Sequence, residues 1–151
     1  MQIEVSRMVD APARRVWRVI TDVESSPGVI SAIQSVDILA GPSPLAVGTR
    51  WRETRTMFGR QATEEMTVTR YEPGRSYTVA ASGQGTDYES TLEVLPDGNR
   101  CTLRMTFSAV SASAMSRVLS ATVGRLFLGA TRRSMEQDLS DIASAAEGAT
   151  S

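Results

Sequence analysis

The chain reads as an α+β domain in which a curved, seven-stranded antiparallel sheet with two short helices is closed by a long C-terminal helix around a cavity. Three features of the sequence lead there. Alternating apolar and polar segments follow one another from residue 47 to residue 109, parted by tight-turn sequences. After Ser113, apolar residues recur at helical spacing for about 30 residues. The opening combines an alternating strand with a helix announced by proline.

Residues 2–9 (QIEVSRMV) alternate as a half-buried strand does. Pro12 then favours a first helical turn, and Val16, Trp17, Val19 and Ile20 supply the apolar face of a helix expected over 12–21. Ser25-Ser26-Pro27-Gly28 reads as an interruption, with a short second helix over 29–33 and a strand over 35–40. Five more strands are expected over 47–57, 61–71, 76–82, 86–95 and 101–109. Between them stand Phe58-Gly59, Glu72-Pro73-Gly74-Arg75, Gly83-Gln84-Gly85 and Pro96-Asp97-Gly98-Asn99, all rich in residues that adopt turn dihedrals. The terminal helix is expected from near 114 to near 146, with Met115, Leu119, Val123, Phe127, Met135, Leu139 and Ile142 on its apolar side. A single domain therefore covers 1–147, and 148–151 is a frayed tail.

Composition removes whole chemistries. The 151 residues contain no histidine and no lysine, so histidine relays, histidine-ligated metals and lysine Schiff bases are excluded. No cofactor or metal is expected, and catalysis would fall to Asp, Glu, Tyr, Ser, Arg or water. The single cysteine, Cys101, cannot form an internal disulfide and has no His or Lys to activate it, so it reads as a packing residue in a cytoplasmic protein. A formal net charge of -1 gives no general pull toward nucleic acid, and no apolar run suffices for an integral membrane segment. Arg14, Arg15 and Arg18 on the first helix read as a solvated face. The expected partner is a small hydrophobic ligand, the protein itself being a monomer or homodimer.

The tight turns fix which residues lie opposite one another, and alternation then sorts them by face. One face collects rows: Val47, Arg70, Tyr77, Leu92 and Met105; Thr49, Val68, Val79, Ser90 and Phe107; Trp51, Met66, Ala81, Tyr88 and Ala109. Glu53, Arg55 and Glu64 lie beyond the last row. The other face carries Arg50, Arg52, Thr54, Thr63, Glu65, Thr67, Thr78, Glu93 and Arg104 and meets water. Arg7 and Arg70 fall inward by parity but are long enough to reach the rim.

The strand followed by Asp10-Ala11-Pro12-Ala13, then Val16-Trp17, Ile20-Thr21-Asp22 and Pro27, resembles the opening of the polyketide cyclase/dehydrase and lipid-transport family. Gly48-Thr49, Tyr71-Glu72-Pro73-Gly74, Leu95-Pro96-Asp97-Gly98 and the long terminal helix are similar to that family in the same order. The resemblance spans nearly the whole chain. It implies the helix-grip fold of the START and pollen-allergen superfamily, with a cavity between sheet and helix for lipids, polyketides or other hydrophobic molecules. The superfamily spans carriers, cyclases and chaperone regulators, so fold analogy leaves the activity open.

Within that frame, Trp51, Met66, Tyr77, Ser90 and Phe107 on the sheet, with Met115, Leu119, Val123 and Phe127 on the helix, are the candidate ligand-binding residues. Glu53, Glu64, Tyr88 and Arg55 are the candidate catalytic residues. Facing carboxylates repel, and Arg55 is the cation placed to relieve them. Open to water, the group is a solvated cluster; shielded, it is acid-base machinery. The open arrangement is favoured here, because few apolar residues lie beyond the Tyr88 row. The expected function is binding of a hydrophobic or polyketide-like molecule, as carrier or sensor. The alternative is a cofactor-independent cyclase or dehydratase, and a third reading is a chaperone-regulator-like interaction module.

Overall fold

A computed structural model describes residues 2–57, 59–83, 86–109 and 121–148, with the side chains at 82, 83, 86 and 121–127 outside that description. The elements in chain order are β1 (Gln2–Val9), α1 (Ala13–Thr21), a 3-10 turn (Val23–Ser25), α2 (Ser26–Val29) and β2 (Ile33–Ala40). They continue as β3 (Arg50–Met57), β4 (Arg60–Glu72), β5 (Ser76–Gly83), β6 (Thr86–Asp97), β7 (Arg100–Ala109) and α3 (Ala121–Gly148). Seven strands form one antiparallel sheet in the order β1-β7-β6-β5-β4-β3-β2. The curved sheet and long terminal helix are the helix-grip architecture.

The turns set this meander as expected. Gly59, Gly74 and Gly98 take φ of 76°, 73° and 63°, the left-handed region that glycine enters without a Cβ clash. The resulting registers place Trp51 opposite Met66, Met66 opposite Ala81, Ala81 opposite Tyr88 and Tyr88 opposite Ala109. The outward face of β3 to β6 is largely polar: Arg50 and Arg52 share Glu65, and Thr54 and Thr78 bond Thr63 and Thr91 at 2.9 and 2.8 Å.

Three expectations are corrected. The row through Arg70 slips at a bulge between Val68 and Arg70, so Tyr71 rather than Arg70 lies opposite Tyr77. The extra residue turns an aromatic ring inward, 5.8 Å from the ring of Trp17, and leaves the Arg70 guanidinium in water. Val47, placed inward by parity, is 55% exposed, because the chain before β3 is a closed loop and not a strand. Thr49 Oγ1 donates to Pro42 O (2.7 Å) and accepts from Ala46 N (3.1 Å), and Gly41 packs directly on the Gly48 backbone. The short second helix runs over 26–29, not 29–33: Pro27 stands in its first turn, where a missing N–H costs no hydrogen bond. Arg7 is exposed, although its strand neighbours Val5 and Val9 are buried.

The core lies between the inward face and α3. Val9, Val16, Val68, Val94, Cys101, Leu103, Leu139 and Ile142 are almost fully buried. Met135, Leu139 and Ile142, on the apolar side of α3 as their spacing predicts, are buried in this core. α3 is tied down at its rim by polar bonds: Arg132 Nη1 donates to Glu4 O (3.1 Å), and Asp141 Oδ2 accepts from Ser31 N and Oγ at 2.9 and 2.8 Å. Among the described residues, no helix is long and apolar enough to cross a membrane.

Candidate functional site

β3 presents Trp51, Glu53 and Arg55 on its inward face, two residues apart as strand alternation requires. Across the interior, α3 brings Thr131, Met135, Asp138 and Ile142, a stripe of three- and four-residue steps, over the same space. Between them lies a cavity of about 140 Å³. Its walls are mostly apolar: Met66, Val79, Leu92, Met105 and Phe107 from the sheet, Ile30 and Ile33 from the segment after α2, and Met135 and Ile142 from α3. A larger hollow of about 290 Å³ lies between residues 21–24 and 42–45, but it is more open to solvent and has no buried ion pair among its lining residues.

The polar end of the cavity is a chain of charged bonds. Arg55 Nη1 donates to Asp138 Oδ2 at 3.0 Å, Arg55 Nε to Glu53 Oε2 at 3.3 Å, and Trp51 Nε1 to Glu53 Oε1 at 3.4 Å. Glu53 is 8% and Asp138 3% exposed. The favoured expectation of a solvated cluster is therefore corrected for Glu53 and Arg55: α3 covers them, and Asp138 completes the pair from above. Burial raises the Asp138 carboxyl above its ordinary range, with Glu53 and Asp141 adding to the shift and Arg55 opposing it. Burial on its own lowers a guanidinium, but the two carboxylates outweigh it and hold Arg55 above its usual value.

Glu64 lies opposite Glu53, as the turn at Gly59 requires, yet bonds elsewhere. Its Oε2 accepts the Tyr88 hydroxyl, whose ring packs 4.9 Å from Phe107. Burial, then the Glu64 charge and hydrogen bond, hold the Tyr88 phenol well above its usual range. Tyr77 donates to Ile20 O at 2.7 Å and is raised by burial, then by Glu53. Asp138 Oδ1 and Thr131 Oγ1 are buried without a hydrogen-bond partner among the described residues.

Of the residues singled out in the sequence, Trp51, Met66, Tyr77, Ser90, Phe107, Glu53, Arg55 and Tyr88 line the cavity, and Glu64 touches it through Tyr88. Met115 and Leu119 lie outside the described residues, as do the side chains of Val123 and Phe127. Sequence reasoning missed Asp138, Thr131 and Ser134. The signal for Asp138 was present: it falls three residues after Met135 and four before Ile142, an acid on the apolar stripe of the helix. Among the described residues no cluster of three or more His, Cys, Asp or Glu could hold a metal ion.

Comparison with known proteins gives the same architecture. The Thermus thermophilus protein TTHA0849 superposes with a TM-score of 0.82 at 17% identity, over all of both chains. The Zhui aromatase/cyclase of Streptomyces sp. R1128 does so at 0.79 and 20%, covering 97% of this chain and 93% of that one. A norcoclaurine synthase of Thalictrum, crystallised with a transition-state analogue, gives 0.71 and 14%, over 100% and 96%. Identities this low speak for the fold alone. No curated protein matches the chain in sequence. The family described as polyketide cyclase/dehydrase and lipid transport matches residues 1–147, and the chain belongs to it.

Proposed function

We propose that this protein binds a compact, largely apolar molecule between the sheet and α3, its ring against Trp51, Met66 and Phe107 and its polar group at the Glu53-Arg55-Asp138 end. The cavity carries this reading. At about 140 Å³ it is close to the ~150 Å³ apolar cavity known to admit benzene, a volume on the scale of one ring. Ligand sites combine such apolar walls with a few convergent polar groups, which is the division found here. Trp51 reports on occupancy, because its indole lines the cavity and its N–H meets Glu53. Titration with toluene should shift the Trp51 indole NMR resonance and leave that of Trp17 nearly in place. Silence at Trp51 toward toluene and larger ring compounds alike would end this reading.

A second reading, acid-base catalysis of cyclisation or dehydration, is favoured by one observation: a buried acid with a free oxygen stands beside a cation. Asp138, with its carboxyl raised by burial, is suited to give or take a proton, and Arg55 to steady an enolate. Glu53, Glu64 and Tyr88 would orient this pair or share in the transfer. Native mass spectrometry of the purified protein would identify a captured ligand. Its conversion to a product one water lighter, lost in Asp138→Asn, would make the protein an enzyme; recovery unchanged would leave a binder.

A further inference from the structure

We infer that the polar end of the cavity selects its ligand by charge, accepting a single-ring molecule with a hydrogen-bond donor, an amine above all, and rejecting the carboxylate of the same shape. The inference rests on the ligand-binding reading above and adds the chemical class.

Three observations carry it. The first is the charge count: Glu53 and Asp138 enclose Arg55, so acids outnumber the cation two to one at this end of the cavity. The second is that Arg55 already spends Nε on Glu53 and Nη1 on Asp138, so an entering carboxylate would compete with two anions held at 3.3 and 3.0 Å. Like charges brought that close in a largely buried site repel. The third is independent of charge. Asp138 Oδ1 and Thr131 Oγ1 both belong to residues lining the cavity, both are buried, and neither has a hydrogen-bond partner among the described residues. A carboxylate oxygen accepts only, so what Oδ1 lacks is a donor.

A buried acceptor without a donor is costly, and a ligand N–H or O–H meets that need once the Asp138 carboxylate turns Oδ1 toward the cavity that the residue lines. An ammonium meets it with a charge-assisted bond, which is stronger than a neutral one, and brings the excess negative charge of the cluster into balance. A hydroxyl meets it more weakly. A carboxylate supplies no donor and adds a third anion. The apolar walls add nothing to this choice, since they favour every one-ring molecule alike.

Four probes of nearly equal shape separate the terms: toluene, benzyl alcohol, benzylamine and benzoate, titrated near neutral pH and followed by calorimetry and the Trp51 indole resonance. Benzylamine should bind about tenfold or more tighter than benzoate, with benzyl alcohol between them. Asp138→Asn should lower the affinity for benzylamine relative to that for toluene about tenfold. Benzoate binding as tightly as benzylamine would overturn the inference, whether or not the variant folds. So would a folded Asp138→Asn protein that keeps the full preference for benzylamine over toluene. Toluene binding with no preference among the polar probes would sink charge selection but leave the binding site standing; no binding by any of the four would sink both.

Discussion

Replacing Arg55 by methionine keeps the aliphatic stem but removes the cation held between Glu53 and Asp138. Each carboxylate is then left in a site closed by α3, at 8% and 3% exposure. Breaking a buried ion pair by deleting one partner costs about 3–5 kcal/mol, because the remaining charge stays desolvated. The Arg55 side chain is 19% exposed, so some water reaches this group and the lower end, about 3 kcal/mol, is expected. For a domain of this size that corresponds to a fall in Tm of about 6–12 °C. Urea denaturation should show the midpoint falling at constant slope.

The pH dependence has a definite sign. Asp138 has a folded-state pKa above its unfolded value, so its contribution to stability is present below the unfolded pKa and is lost as pH rises through the folded one. Without Arg55, which opposes that shift, the folded value rises further. Arg55→Met should therefore recover part of its loss on acidification, and adding Asp138→Asn should restore part of it near neutral pH. A loss below about 1 kcal/mol near neutral pH, or a deficit that does not shrink with acid, would show that water screens the cluster and would refute the buried-network argument.

Three further outcomes follow from the core. Tyr77→Phe leaves the buried Ile20 carbonyl without its donor at 2.7 Å and should cost about 1–2 kcal/mol by urea titration. Leu103→Ala, at a fully buried position on β7, should cost about 2–5 kcal/mol, the spread reflecting how far the core can relax. The Cys101 thiol, fully buried and raised by burial, should resist an aromatic disulfide reagent in the native state and react fully in denaturant; rapid native labelling would contradict its packing.

Most of the sheet was legible because short turns leave little freedom. Once Gly59, Gly74 and Gly98 reverse the chain, alternation decides the partners up to the first bulge, and the pairing of Trp51 with Met66 and of Glu53 with Glu64 follows from counting. The bulge before Arg70 was not legible, since the surrounding residues alternate acceptably in either register. What favours it is the room beside Trp17 for the Tyr71 ring, a contact between residues 54 positions apart.

The sequence by itself determined the fold class, most faces of the strands, the apolar positions of the terminal helix from Met135 to Ile142 and the chemistries excluded by the absence of histidine and lysine. Only the tertiary structure decided that Glu53 and Arg55 are covered, that Asp138 joins them from 83 residues away, and that Glu64 turns to Tyr88 instead of Glu53. The physical reason is range. Alternation and turn geometry act between neighbours and across one hairpin, whereas the burial of a charge depends on which helix lies above it and at what rotation, and that is set by the packing of the whole core.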